Sequence, residues 1–384
     1  MAHHNTVFAQ LLKLVPRHEF ETLAKTHHRG RSLRRINRWS QFVALALAQL
    51  GGRQSLRDIV GNLAAQAASL YHLGCRAVTR TTLARVNEQQ PFTFYEALFA
   101  KLYARCQGVA PRHRFRFKNK LYSLDASLID LSLKLFPGAH YALGKAAMKL
   151  HVGLDHDGYL PAFATVTPGK RADIAIGRTV DFPRGSIVVC DKGYTDYRWF
   201  KMLDNQGIFF VTRLRQNAKP RTLRRHAFPE GRGITSDHTV RLAGIKPTKL
   251  GLPSLRRVGY RDPATGKHYV FLTNVFHLSA TTIATLYQER WQIELFFKWL
   301  KQNLKIKSFL GLSTNAVLTQ IWIALCMYLL LAFLKFVSQL GASMQQLLRL
   351  LQLNLFIKRD LVALLRGDPP DRSLSDHQLR LSFA

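Results

Sequence analysis

Acid is what this chain lacks. Its 384 residues hold 23 Asp and Glu against 56 Lys and Arg, giving a formal charge of +33. After Glu294 no further acid occurs until Asp360. That deficit argues against a basic partner and points to a polyanion. Nucleic acid is the first candidate and an anionic membrane the second. The cations run along the whole length, which suits an extended surface on a folded protein better than a basic tail.

Cysteine is also scarce. Cys75, Cys106, Cys190 and Cys326 form no CxxC pair, and no His stands at zinc-finger spacing from them. A disulfide scaffold and a zinc finger are therefore excluded in favour of reduced core cysteines. Met1-Ala2-His3-His4-Asn5 lacks the charged start and apolar run of a signal peptide, so a cytoplasmic, nucleoid-associated protein is expected. A long hydrophobic span is missing as well. Ile321–Leu334 is fourteen residues without charge, short of the about 20 that cross a bilayer. Thr319 and Gln320 lead into it, so a buried helix and no membrane are expected. Pro and Gly are absent from Ala280 to Leu310.

What is there fits a globular chain of two or three domains, with 47% hydrophobic residues. Residues 1–118 have helical periodicity in Val7–Leu14, Glu19–Lys25 and Trp39–Leu50. A basic patch from Arg29 to Arg38 includes Arg34 and Arg35. A break at Gly74 followed by Val78–Asn87 predicts a helix-turn-helix, making this an α-helical DNA-binding domain. From Leu121 the pattern turns to strands. Leu121–Asp125, Ala126–Leu135 and Lys149–Leu154 predict the first three, and Ser186–Asp191 and Ile208–Thr212 the next two. Asp125 and Asp191 end strands one and four. Helix-compatible stretches lie around Asp173–Val180 and Asp196–Leu203. Three strands, helix, strand, helix, strand is the order of an α/β ribonuclease-H-like core, expected over 119–334. A β-rich insertion at 213–275 interrupts it, basic at first through Arg213 and Arg215. His268–Thr273 and Arg256–Tyr260 predict a hairpin about Asp262–Gly266. A helical tail follows over 335–384.

The unbroken stretch around Leu286–Lys301 reads as one helix, capped at its start by Ser279. Ile293, Phe296, Phe297, Leu300 and Leu304 form its core stripe. Tyr287, Arg290, Glu294 and Lys301 share an arc of roughly 60° beside it. Alone, that row suits a solvated face as well as a site. Phosphoryl transfer on DNA uses divalent cations held by converging carboxylates. Asp125, Asp191 and Glu294 are the acids in position to converge.

These residues resemble a family. Tyr287, two residues, Arg290, three residues, Glu294, six residues, Lys301 is similar to the Tyr-Arg-Glu-Lys signature of the IS-four group of bacterial insertion-sequence transposases. Those are DDE enzymes on a ribonuclease-H-like core. Asp125 in Leu124-Asp125-Ala126-Ser127 resembles their first acid and Asp191 in Cys190-Asp191-Lys192-Gly193-Tyr194 their second. Lys192 stands where the family often has Arg. The resemblance spans roughly Leu121–Leu334. It implies that Asp125, Asp191 and Glu294 hold two Mg²⁺, with Mn²⁺ as a substitute. It further implies cleavage at the element's ends and joining of the 3′-hydroxyl to target DNA. Tyr287, Arg290 and Lys301 would contact phosphates, with Lys298 competing for Lys301's role. Tyr269 would stack on a flipped base. Arg213, Arg215, Arg34 and Arg35 are further DNA-binding candidates, and a homodimer on double-stranded DNA is the expected assembly. The alternatives are an inactive DNA-binding relative and a nuclease without strand transfer.

Overall fold

The computed structural model describes residues 5–369 apart from 35, 132–139, 142–144, 305, 307–308 and 312. It divides into two compact units, one of Met1–Ala110 with Trp299–Ala384 and one of Pro111–Lys298.

The first unit is helical. Its N-terminal part contains α1 (Val7–Leu12), α2 (Arg17–Thr26), α3 (Arg38–Leu50), α4 (Leu56–Ala65), α5 (Ala67–Leu70), α6 (Arg80–Gln89) and α7 (Thr93–Gln107). Asn37, Ser55 and Thr79 cap α3, α4 and α6 through their side chains, satisfying amide groups that a helix start leaves open. The predicted helix-turn-helix is not met. Such a motif needs a turn of about three to four residues, whereas 71–79 separate α5 from α6. That connection turns at Gly74 (φ +63°) and is tied down by Trp39 Nε1 donating to the Leu73 carbonyl at 2.8 Å.

The second unit is a mixed α/β structure on one ten-stranded sheet. Its elements are β1 (Leu121–Leu131), β2 (His140–Tyr141), β3 (Lys145–Asp155), β4 (Leu160–Pro168), α8 (Asp173–Gly177), β5 (Ile187–Cys190), α9 (Tyr197–Asn205) and β6 (Phe209–Arg213). Then come β7 (Lys219–Arg225), β8 (Ile234–Ala243), α10 (Ile245–Lys249), β9 (Leu255–Arg261), β10 (His268–Thr273), α11 (Ala280–Glu289) and α12 (Trp291–Asn303). β4, β3 and β1 pair antiparallel, and β5 and β6 add parallel to β1. Three strands, helix, strand, helix, strand is the order expected of a ribonuclease-H-like core. One strand assignment needs correction: Asp125 does not end strand one. β1 continues through Ala126 to Leu131, paired residue by residue with β3. No Gly or Pro interrupts 121–131, so nothing local breaks the ladder.

β7 to β10 extend the same sheet. β10 pairs antiparallel with β6, and β9, β8 and β7 follow outward. The β9–β10 hairpin turns through Asp262–Lys267 as expected, with the Gly266 N–H donating to the Asp262 carbonyl. Arg256 on β9 makes a two-pronged pair with Asp237 on β8 at 2.9 and 2.7 Å and also donates to the carbonyls of Val275 and Leu278. That buried pair fastens the added strands to the segment leading into α11.

Sheet alternation sorts the two faces. Leu124, Val188, Cys190 and Phe210 pack with Trp199, Phe200 and Leu203 of α9. Leu121, Ile187, Val189 and Val211 pack with Ile283, Ala284, Leu286 and Tyr287 of α11. Asp125 shares the parity of Leu121, and Asp191 that of Val189, so both acids belong to the α11 face.

The stretch expected as one helix is two. α11 ends at Glu289 and α12 starts at Trp291. At Arg290 the hydrogen bonds tighten to i→i−3: Arg290 N–H to the Tyr287 carbonyl and Ile293 N–H to the Arg290 carbonyl, both 3.2 Å. Arg290 keeps helical dihedrals (φ −53°, ψ −29°), so the break has no Gly or Pro signature. The expected core stripe from Ile293 to Leu304 is buried.

The first unit is completed by α13 (Thr314–Val337), α14 (Met344–Asn354) and α15 (Leu361–Arg366). α13 is long and apolar enough to cross a membrane by composition, yet it is mostly buried, packed on α3, α6 and α7 of its own unit. All four cysteines are free and buried.

Candidate active site and nucleic-acid interface

The site forms where β1 and β5 run side by side. Their last register pair is Leu124↔Cys190, so Asp125 and Asp191 each stand one residue beyond it, on adjacent strands. Asp191 leads into a 3-10 turn over Lys192–Tyr194 and accepts the Gly193 N–H at 2.6 Å. Thr212 Oγ1 donates to the Asp191 carbonyl at 3.1 Å. β6 thereby holds the end of β5 in place.

Arg290 joins these acids to α12. Its Nη1 lies 3.1 Å from Asp125 Oδ2 and its Nη2 2.5 Å from Glu294 Oε1. The tightened turn lets one guanidinium reach back to the strand and forward one helical turn. Burial pushes the Asp125 carboxyl up to about 6; the Ala126 N–H and Arg290 oppose the shift, and the charges of Asp191 and Glu294 add to it. The three acids therefore feel one another electrostatically.

Tyr287 sits on the other flank of Arg290. Its ring packs on Phe271 at 4.8 Å, with the guanidinium carbons of Arg290 and Arg213 at 5.7 and 5.8 Å from its centre. Tyr287 Oη, Arg290 Nε and Arg213 Nε are all buried without a hydrogen bond of good geometry. Burial raises the Tyr287 phenol above its usual range, so it stays a neutral donor. Buried donors left without a good hydrogen bond are rare and need an explanation. Three of them clustered beside three carboxylates suit an anionic oxygen ligand.

Carboxylate oxygens are the hard donors that magnesium and manganese take. Among the described residues, no three acidic, His or Cys side chains converge closely enough to hold an ion as they stand. Arg290 supplies the counter-charge instead. The donor chemistry fits a divalent cation, provided that Arg290 lets go of Asp125 or Glu294.

Residues 117–330 match the family described as Transposase DDE domain, more than half of the chain. The chain belongs to the DDE transposase family. Residues 3–76 match a second family, described as a domain of unknown function. A protein named as transposase y4zB in Sinorhizobium fredii is 35% identical over 314 residues, covering 78% of this chain and 85% of that one. A protein named as the transposase for insertion sequence element IS5377 in Geobacillus stearothermophilus is 30% identical, covering 66% and 67%. A third, named for insertion sequence element IS4SA in Synechocystis, is 26% identical, covering 61% and 65%.

In this transposase the remaining candidate residues fall into separate places. Tyr269 on β10, Arg213 at the end of β6 and Arg215 just after it line a cleft of about 690 Å³ with Asp191, Lys192 and His268. Lys298 is exposed on α12, one turn after Glu294, and Lys301 is in the last turn of that helix. Arg34 belongs to the other unit. It lies in the helical unit, lining a cleft with Arg29, Arg31 and Arg85. Arg35 is outside the described residues.

Two basic side chains of β3 are packed. His151 is fully buried, its ring within 2.9 Å of Thr167 Oγ1, and burial pushes it down to about 4. Lys149 pairs with Asp173 at 2.9 Å. Asp155 and Asp157 hold Lys120 at 3.0 and 2.7 Å. His268, Asn217 and Thr212 beside the site carry no spacing signal in sequence. They emerge only once β6 and β10 pair.

Proposed function

We propose that this transposase is of the IS-four type, cutting the ends of its insertion sequence and joining the 3′-hydroxyl to target DNA. The observation that carries the proposal is Arg290. It bridges Asp125 and Glu294 beside Asp191, among buried donors of Arg290, Tyr287 and Arg213 that lack a good hydrogen bond. A phosphodiester entering there meets positive charge and hydrogen-bond donors held ready, which is how phosphoryl transfer is stabilised.

Asp125, Asp191 and Glu294 would hold two divalent cations, Mg²⁺ or Mn²⁺, which when bound activate the attacking oxygen and stabilise the leaving one. Arg290 turns from the carboxylates to the scissile phosphate, its planar fork matching two phosphate oxygens. Tyr287 gives one hydrogen bond without losing its proton. Arg213, 5.8 Å from the centre of the Tyr287 ring, adds charge. Tyr269 offers a face on which an extruded base can stack. Lys298 and Lys301 grip backbone phosphates along α12. The helical unit binds DNA through Arg34 and its neighbours, and a homodimer brings two ends together. Acting on chromosomal DNA places the protein in the cytoplasm with the nucleoid.

The test is Glu294→Ala. It should abolish metal-dependent cleavage of a terminal inverted repeat while leaving binding to that repeat intact. Cleavage at the wild-type rate would overturn the assignment.

A further inference from the structure

A second basic cleft opens beside the first. It has about 560 Å³ of space and is lined by Arg178, Arg198, Arg215, Asn217, Lys246 and Lys249, together with Asp196. Arg215 and Asn217 line both clefts, so the space at Asp191 continues past Arg215 to α10. Arg215 is fixed at this junction by its Nε donating to the Lys192 carbonyl at 3.2 Å.

The charge of this cleft is largely uncompensated. Its acid, Asp196, is committed twice: Oδ1 caps α9 at the Trp199 N–H, and Oδ2 pairs with Arg178 at 2.6 Å. Arg198, Arg215, Lys246 and Lys249 are exposed and make no ion pair among the described residues. Nor is the cleft a floppy edge. Lys201 of α9 donates to the Leu250 carbonyl and so holds the α10 loop against α9. Four solvated cations held in a row would repel one another without a polyanion between them.

Direction follows from the sheet. The α11–α12 grip on DNA lies over the face that carries Asp125 and Asp191. The second cleft is built from α8, α9 and α10, and α9 packs on the opposite face. A strand whose phosphate sits at the carboxylates therefore has α11–α12 on one side and this cleft on the other.

We infer that this cleft binds the sugar-phosphate backbone of the DNA flanking the element, beyond the scissile phosphate. The inference rests on the proposed end-cleaving function. Arg215 follows the strand out of the active site, and Arg198, Lys246 and Lys249 follow its next phosphates. None of these contacts reads a base, so the flank is held whatever its sequence. That is what a mobile element needs, because its neighbours change with each insertion.

The experiment measures affinity against salt for two duplexes. One carries the terminal repeat with flanking DNA; the other ends at the cleavage point. Each phosphate contact adds about 0.9 to the slope of log K on log salt. Lys246→Gln with Lys249→Gln should lower the slope for the flanked duplex by roughly 1.8 and leave the blunt-ended repeat unchanged. Adding Arg198→Gln should remove about 0.9 more. An equal loss on both duplexes, or no loss on either, overturns the inference while the end-cleaving reading stands. If the wild-type protein binds neither duplex, both fall. All three substituted side chains are exposed, so folding is not at issue.

Discussion

Arg290 lies 3.1 Å from Asp125 although 165 residues separate them in the chain. The same guanidinium holds Glu294, so one cation keeps two acids close without a metal. Arg290→Ala should lower end cleavage by roughly 100-fold or more, the scale of losing one charge-stabilising donor. Arg290→Lys should recover little, since an ammonium cannot reach both carboxylates in fork geometry. Single-turnover cleavage assays would decide it, and full activity in the Lys variant would sink the fork argument.

Tyr287 separates stability from function. Its hydroxyl is buried and meets only the Arg290 guanidinium, at poor hydrogen-bond geometry, so removing it relieves part of a desolvation cost of about 1–3 kcal/mol and breaks no strong bond. Tyr287→Phe should therefore melt no lower than the wild type while cleaving more slowly. A clear drop in melting temperature would mean that the hydroxyl has a structural partner.

The Arg256–Asp237 pair predicts the reverse pattern. Both side chains are buried, 8% and 3% exposed. Arg256→Met alone strands a buried carboxylate and should cost about 3–5 kcal/mol. Combined with Asp237→Leu the loss should largely disappear. Denaturant titrations giving additive losses would refute this.

His156 makes stability depend on pH. It is buried, its Nε2 lies 2.7 Å from Ser123 Oγ, and burial pushes it down to about 3, with His113 adding in the same direction. An unfolded His titrates near about 6.5. Below that value the unfolded chain binds a proton that the folded one refuses. Stability should fall as pH drops from about 6.5 towards 3, by about 1.4 kcal/mol per unit from this group. His151, pushed down to about 4, adds a similar slope. His156→Gln should remove its share between pH 7 and 5; an unchanged slope would show that His156 is not the source.

Much of the core was legible because burial leaves a strong local mark. Ile187–Cys190 is fully buried, and an unbroken apolar run followed by an acid is what a reader can see. The Ile293 stripe was legible for the same reason, and Ser279 because a helix start calls for a side-chain acceptor. The break at Arg290 was not, since its backbone stays helical and the carboxylate that its side chain reaches is far away in sequence. β7 was not legible either: as the sheet's edge it buries nothing and reads Lys-Pro-Arg-Thr-Leu-Arg-Arg. Its charges suit an edge that must not pair with a neighbour. α7 carries Phe94, Tyr95, Leu98, Phe99, Leu102 and Cys106 inward, but its partner, α13, lies more than 200 residues later (Cys106 Sγ to the Leu329 carbonyl, |i−j| = 223).

That last separation sets an order of manufacture. The ribosome releases α3 and α7 long before it makes α13, the helix against which both are packed. Until then the apolar surface that each turns to α13 has no native cover, while the entire sheet unit is synthesised between them. A message cut short before Trp299 would yield a protein with its carboxylates encoded but its helical unit unclosed, open to proteases and to chaperones. Completion of the chain thus acts as a quality gate on a protein whose activity would be to cut the genome that encodes it.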